Sequence, residues 1–428
     1  STNLLAQQKT SYKFSFGAGK TAKEFVKVDP ATSYSKETGY GFDFGTKPIA
    51  IDRGGRNPLK AGFCTSKKPF YFSVYLPEGN YNVTITMGDT KEASTTTVKA
   101  ESRRLMLEKV QTKPGEFETR TFTINNRTPQ IAGTDERVSL KPRELNKLDW
   151  DDKLTFEFSD IRPCIATLEI TKVEDAITIY LAGNSTVVDQ DEEPWASWGQ
   201  MIPKYFKQGV AISNQAESGL SLGSFIGSKR LKKVLSTLKT GDYLFIEFGH
   251  NDQKEKGPDD GAFKSYSERF RTFISETRNK GGIPVIVTST NRRTFSEDGK
   301  LINSLGDYPD AARQIAKEQN VSLIDLNAMT KTFYEALGPE NSKKAFVIYP
   351  ANSFPDQPQA FNDNTHFNGY GAYELAKCIV EGIKANNLNI ARFLIDNLIP
   401  FDPATPDVPE TFSLPLSPKS SVVKPDGN

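Results

Sequence analysis

Ile177-Thr178-Ile179-Tyr180-Leu181-Ala182-Gly183-Asn184-Ser185-Thr186 is an almost unbroken apolar run that ends in a small, polar turn. Near-continuous hydrophobicity marks a parallel strand covered on both faces, and the Gly/Asn/Ser/Thr cluster marks the loop at its carboxyl end. Ahead of this stretch the texture differs. Short alternating or β-branched runs at 12–16, 70–76, 82–86, 94–99, 119–124, 153–158 and 166–171 are separated by Gly, Pro, Asn and Asp. That spacing predicts an antiparallel β-sandwich, with a chain reversal at Pro77-Glu78-Gly79-Asn80.

Behind the stretch, strand, loop and helix repeat. Residues 243–248, 283–289 and 321–326 read as further buried strands, with 209–212 a candidate fifth. Helical spacing recurs through Leu231, Val234, Leu235 and Leu238, through Phe263 to Thr277, through 311–318, and through Tyr373 to Ile383. The pattern predicts an α/β domain built on a doubly wound parallel sheet. Beyond Leu398 seven prolines fall within 30 residues, which excludes a helix or a central strand there. That segment is read as wrapping the domain in extended form through Phe401, Phe412, Leu414 and Leu416, a loose tail being the alternative. The expected organisation is a β-sandwich at 1–175, an α/β domain at 176–398 and a Pro-rich extension at 399–428.

A length of 428 residues suits two domains plus an extension at about 150 residues each. With 37% hydrophobic residues and no apolar run near the ~20 that a span needs, the chain reads as soluble and without a membrane segment. Lys plus Arg is 54 and Asp plus Glu is 53, so the balance gives no electrostatic case for nucleic acid or an anionic membrane as partner. Only His250 and His366 can act as an imidazole base, and a multi-His metal site is excluded; no metal or cofactor is expected. Cys64, Cys164 and Cys378 are too dispersed for paired zinc thiolates and read as packed thiols, Cys64 and Cys164 being the pair that an oxidising compartment could join. The first residue is Ser, which suggests a sequence beginning after a removed signal peptide.

In an open parallel sheet, ligands bind beyond the carboxyl ends of the strands. Polar clusters around Ser185 and Asn251 fall at such ends, and Asn214 to Gly219 follows another short apolar run. Asp363 stands three residues before His366, ahead of the last helix, and on a helical turn such a pair would share a face. A serine hydroxyl needs a base to become a nucleophile, and the base needs a partner that fixes its tautomer. Ser185, His366 and Asp363 could fill these roles, with the Ser185 N–H, the Gly219 N–H and the Asn251 amide as oxyanion donors. Taken singly, each element is common turn or capping chemistry; their order and placement carry the reading.

Gly183-Asn184-Ser185-Thr186, Gly219 within Glu-Ser-Gly-Leu-Ser, Gly249-His250-Asn251-Asp252 and Asp363-x-x-His366 resemble, in order, the four blocks of the SGNH (GDSL-type) hydrolase superfamily. Val187 after the first block, Asn291-Arg292-Arg293 and Asn364-Thr365-His366-Phe367 are similar to the rhamnogalacturonan acetylesterase branch. The resemblance covers about residues 176–390. It implies Ser185 as nucleophile, His366 as base, Asp363 as its partner, and Ser185, Gly219 and Asn251 as the oxyanion hole. Asn184 replaces the Asp of the superfamily name, and Leu220 stands where the branch often carries Arg. His250, Arg292, Arg293 and Trp195 are candidate substrate contacts. For His250 the alternative is a scaffold for Asn251, and for Trp195 and Trp198, three apart on an expected helix, it is buried packing. The first half, with Gly39-Tyr40-Gly41-Phe42-Asp43-Phe44-Gly45, resembles galactose-binding-like jelly rolls, which either bind glycan or shape the cleft.

The expected function is therefore a carbohydrate O-acetylesterase acting on an acetylated plant cell-wall polysaccharide or oligosaccharide, hence secreted, periplasmic or at the cell surface. An esterase or lipase for other acyl groups, and a glycan-binding protein without catalysis, are the alternatives.

Overall fold

The computed structural model describes residues 8–427; Ser1, on which the expectation of a removed leader rests, lies outside them. The chain divides into two compact units. One holds the chain up to Thr128 with Arg143–Ala176 and Lys207–Ala211; the other holds Pro129–Pro142, Ile177–Phe206 and the chain from Ile212 onward.

The first unit is a pair of sheets. In one, Phe117–Asn126, Gly79–Gly88, Ile165–Val173, Ser11–Ser15 and Val26–Lys27 lie in that order, with Gly62–Thr65 and Ile49–Asp52 attached beside them. The other runs Tyr40–Asp43, Phe70–Tyr75, Lys153–Arg162, Ser94–Ala100, Arg104–Thr112, antiparallel throughout. Along Gly79–Gly88 the inward set Tyr81, Val83, Ile85 and Met87 is buried while the residues between are half-buried, the two-residue period of a strand with one covered face. Rings from both sheets meet in one core, Phe14 packing edge-on against Phe72 at 5.1 Å. The Pro77-Glu78-Gly79-Asn80 segment carries the chain from Phe70–Tyr75 in one sheet to Gly79–Gly88 in the other. All three cysteines are buried free thiols.

A further sheet has five strands, β1 (Ile177–Gly183), β2 (Val210–Asn214), β3 (Tyr243–Glu247), β4 (Ile283–Val287) and β5 (Ser322–Ile324), ordered β2-β1-β3-β4-β5, all in the second unit but for Val210 and Ala211. The pairs β1/β3, β3/β4 and β4/β5 are parallel. This is the flavodoxin-like order, whose switch point lies beside the first strand. Helices α1 (Arg230–Thr237), α2 (Ser267–Asn279), α3 (Tyr308–Glu318), α4 (Leu326–Asn341) and α5 (Gly369–Ala385) follow. Helix α4 was not expected, although Leu326, Thr330, Phe333 and Tyr334 form a buried stripe at helical spacing and Asp325 caps its first turn. A two-stranded ladder, β6 (Phe346–Tyr349) with β7 (Phe361–Phe367), precedes α5.

The Pro-rich segment is extended and fastened at Asp407, Phe412 and Ser417. Phe412 packs on Tyr373 at 5.3 Å, the Tyr370 hydroxyl donates to Asp407 O at 2.6 Å, and the Ser417 amide donates to the Glu193 carboxylate at 3.1 Å. Phe401 and Leu414 are partly covered, but Leu416, an expected anchor, is 60% exposed. No described helix is long and apolar enough to cross a membrane.

Candidate active site

Ser185 sits two residues beyond β1, in a turn closed by the Val187 and Val188 amides donating to Asn184 O. The Asn184 side-chain oxygen accepts from the Thr186 amide at 3.0 Å, and Gln190 Nε2 donates to Ser185 O at 2.9 Å. The turn is thus fixed by its own short polar side chains. Asn184, the departure from the superfamily's Asp, acts here as a turn acceptor, a role that an amide oxygen fills as well as a carboxylate.

Beneath the turn lies a buried carboxylate that sequence reading did not single out. The Thr186 hydroxyl is 2.8 Å from both Asn184 Oδ1 and Glu247 Oε2. A hydroxyl has one proton to give, so both bonds form when Glu247 carries its own. Burial pushes Glu247 up to about 7, opposed by its bonds to Thr186, Trp198 and the Thr290 amide. A lone charge at the end of the apolar run Tyr243 to Phe248 was the available signal.

Ser185 Oγ stands 2.7 Å from His366 Nε2, and His366 Nδ1 stands 2.8 Å from Asp363 Oδ2. Asp363 and His366 do not share a helical turn as expected. They belong to strand β7, where residues three apart would face opposite sides. They meet because Asp363 Oδ1 accepts from both the Thr365 and His366 amides at 3.0 Å, an Asx turn that curls the strand back on itself. Trp195 Nε1 donates to Asp363 Oδ2 at 3.3 Å. Burial raises the Asp363 carboxyl, but the hydrogen bond and charge of His366 and the two amides outweigh it and hold the group below the usual carboxylate range. The chain Ser–His–Asp is therefore ionised at its far end and aligned to take a proton at Nε2.

Gly219 and Asn251 line one cleft of about 680 Å³ together with Lys141, Lys254 and residues 424–427. Gly219 has φ +84, a backbone conformation that favours glycine. Asn251 Nδ2 donates to Leu220 O at 2.9 Å, which leaves its second N–H for the cleft. A side chain placed on Gly427 would lie 2.9 Å from Asn251 Nδ2 and 3.3 Å from Ser185 Oγ. Nucleophile and amide donor therefore flank a single point.

None of the four expected substrate contacts lines this cleft. His250 is 1% exposed, and neither ring nitrogen finds a well-formed hydrogen-bond partner among the described residues. Burial, then the charges of Arg292, His366 and Lys254, pushes its imidazole well below the usual range and favours the neutral ring. Trp195 is buried against Phe361 and braces Asp363; it precedes the short helix Trp198–Met201 and presents no face to a sugar. Arg292 is half-buried and bonded to Gln253 and Ser304. Arg293 is tied to Ser342 and, at 2.8 Å, to Asn364 Oδ1, which fastens its loop to β7. The cations that line the cleft are Lys141, Lys254 and Lys424. Among the described residues, no group of three or more His, Cys, Asp or Glu could hold a metal ion.

Residues 180–372 match the GDSL-like lipase/acylhydrolase family, and residues 12–124 match the galactose-binding-like domain of β-agarase/YXIM esterase-like proteins. Over 224 residues the chain is 45% identical to the rhamnogalacturonan acetylesterase RhgT of Bacillus subtilis, which covers 51% of this chain and 94% of that protein. The chain belongs to the SGNH/GDSL-like hydrolase family. As a member it is a carboxylic ester hydrolase, and the Ser–His–Asp chain at the sheet rim is where such chemistry is built. A second relative, the probable rhamnogalacturonan acetylesterase YesY of Bacillus subtilis, is 32% identical over 51% of this chain and 97% of its own length. The uncharacterized esterase YxiM of that organism aligns over 90% of this chain and 94% of its own length at 26% identity. A crystal structure of the YxiM protein covers 89% of this chain and 99% of its own, with a TM-score of 0.46 at 24% identity.

Proposed function

We propose that the protein removes O-acetyl groups from a pectic polysaccharide of the rhamnogalacturonan type, through an acetyl-Ser185 intermediate. The observation that carries this reading is the unbroken chain of short contacts from Ser185 Oγ through His366 to Asp363; the identity to RhgT supports the glycan.

Ser185 Oγ attacks the acetyl carbonyl carbon while its proton passes to His366 Nε2. The ionised Asp363 stabilises the imidazolium that forms and keeps the Nδ1 proton on its own side of the ring. The tetrahedral oxyanion is met by the Ser185 and Gly219 backbone N–H groups and the Asn251 carboxamide. On collapse the sugar alkoxide leaves with the proton from His366. Water, deprotonated by the same nitrogen, then frees acetate and restores Ser185. A polymeric substrate of this kind lies outside the cytoplasm, so we place the enzyme in an exported or surface compartment.

Ser185→Ala tests the reading: acetate release from acetylated rhamnogalacturonan and from a chromogenic acetyl ester should both vanish while the melting temperature is kept. Turnover retained by the variant would sink it.

A further inference from the structure

The cleft is already filled at one end by the chain itself. From Glu193, whose amide donates to Lys419 O and whose carbonyl accepts from Ser421 N, the Pro-rich segment runs toward the nucleophile. There the Gly427 carbonyl comes to 3.4 Å from Ser185 Oγ, and its Cα borders the point flanked by Ser185 and Asn251, where a Cβ would stand. One residue earlier, the Asp426 carboxylate pairs with Lys141 Nζ at 3.7 Å, while Lys424 pairs with Asp363 at 3.7 Å. Lys141 is held in place by donating to Ser218 O at 2.6 Å, in the oxyanion loop itself. Lys254 lines the same cleft, donates to Asn251 Oδ1 at 3.3 Å and feels the charge of Asp426.

Residues 426–427 thus offer the site two groups at a fixed spacing: a carbonyl at the nucleophile and a carboxylate paired with Lys141 and within the field of Lys254. An O-acetylated glycan whose sugars carry carboxylates offers the same two groups. In a chain whose overall charge is only +1, three lysines around one opening are a local feature; two of them, Lys141 and Lys254, do not belong to the inserted segment, and the one carboxylate of the lining outside that segment, Glu255, is paired with Arg269 at 2.7 Å. The segment is also removable: the side chains of Lys424 and Asp426 are 43% and 63% exposed, and ion pairs so exposed hold weakly. It must leave, because the acyl carbon needs the space that Gly427 takes.

We infer that Lys141 and Lys254 form a subsite for a carboxylate of the glycan, and that Asp426 occupies it as a built-in stand-in which an acidic substrate displaces. The inference rests on the esterase reading above and assigns the residues that meet a carboxylate of that acidic substrate.

The test compares two substrates on the full chain: an acetylated, carboxylate-bearing pectic oligosaccharide and the same oligosaccharide with its carboxyls methyl-esterified. The quantity read is the ratio of their kcat/KM values. The wild-type ratio should favour the acidic form and fall as salt is raised. Lys141→Met should cut it about ten-fold, chiefly through KM. Asp426→Asn keeps both lysines and weakens the stand-in, so it should raise both rates and leave the ratio in place. A ratio near one in the wild type, a ratio unmoved by salt or by Lys141→Met, or a slowing of both substrates by Asp426→Asn would overturn the inference. Should Lys141→Met not fold, the salt dependence of the wild-type ratio still decides. Failure of the esterase reading looks different, because neither substrate would then release acetate.

Discussion

Replacing Asp363 by Asn changes one atom in a group that receives four donors: the Thr365 and His366 amides on Oδ1, and His366 Nδ1 and Trp195 Nε1 on Oδ2. The amide nitrogen cannot sit at Oδ1, where it would face two N–H groups at 3.0 Å and open the Asx turn. It is therefore driven to the Oδ2 position, where it donates to His366 Nδ1. That forces the ring proton onto Nε2, which then points it at Ser185 Oγ, 2.7 Å away, and cannot accept. Loss of both the tautomer and the charge beside the imidazolium should lower kcat about 10⁴-fold, roughly 5 kcal/mol at 1.36 kcal/mol per decade. Stability should suffer far less, about 1 kcal/mol for the one Trp195 bond that turns donor-to-donor. The assay is kcat on a chromogenic acetyl ester beside a thermal melt. A loss below ten-fold in a variant that melts like the wild type would refute the assignment of Asp363 as the group that sets the His366 tautomer.

Asn251→Ala removes the side-chain donor of the oxyanion hole and should cost about 10²–10³ in kcat with little change in KM, measured on the same ester; a fall confined to KM would place Asn251 in substrate binding instead. Glu247 gives a pH signature in stability. Its carboxyl is raised from an ordinary 4.5 to about 7 in the folded chain, so between these values the unfolded chain sheds a proton that the folded chain keeps. Stability contributed by the neutral form is full below 4.5 and declines as pH rises to about 7, by on the order of 3 kcal/mol. Urea unfolding at pH 5 and pH 8 should show Glu247→Gln losing less than the wild type. The difference between the two proteins separates Glu247 from Asp252 and Glu374, which burial also raises to about 7. Equal losses in both proteins would mean that Glu247 is not the buried acid responsible.

What could be read from the residues follows from how local each signal is. Strands β1, β3 and β4 were legible because a strand covered on both faces is apolar at nearly every position, and Ser185 and Asn251 then fall at rims that topology makes functional. Arg104–Thr112 was not, because its pairing with Ser94–Ala100 shifts register at Thr96/Val98 and at Val98/Lys99, which breaks the alternation that marks a strand. The Asp363/His366 pair was identified correctly as neighbours but by the wrong geometry: spacing of three suggests a helix, whereas the Asp side chain itself bends the strand. Lys141 was hidden by distance. It lies 44 residues before Ser185, in Pro129–Pro142, a stretch that the change of texture near residue 175 assigns to the sandwich but that packs with the second unit. The cleft-lining ends of the Pro-rich segment were equally out of reach, since composition reports that 399–428 is extended without saying where it leads.

Protein quenched in acid during turnover of an acetyl ester, digested and read by mass spectrometry, reports the covalent step directly. The peptide that contains Ser185 should carry one acetyl group. An acetyl group on another residue, or none on Ser185 while acetate is being released, would contradict the acyl-serine mechanism.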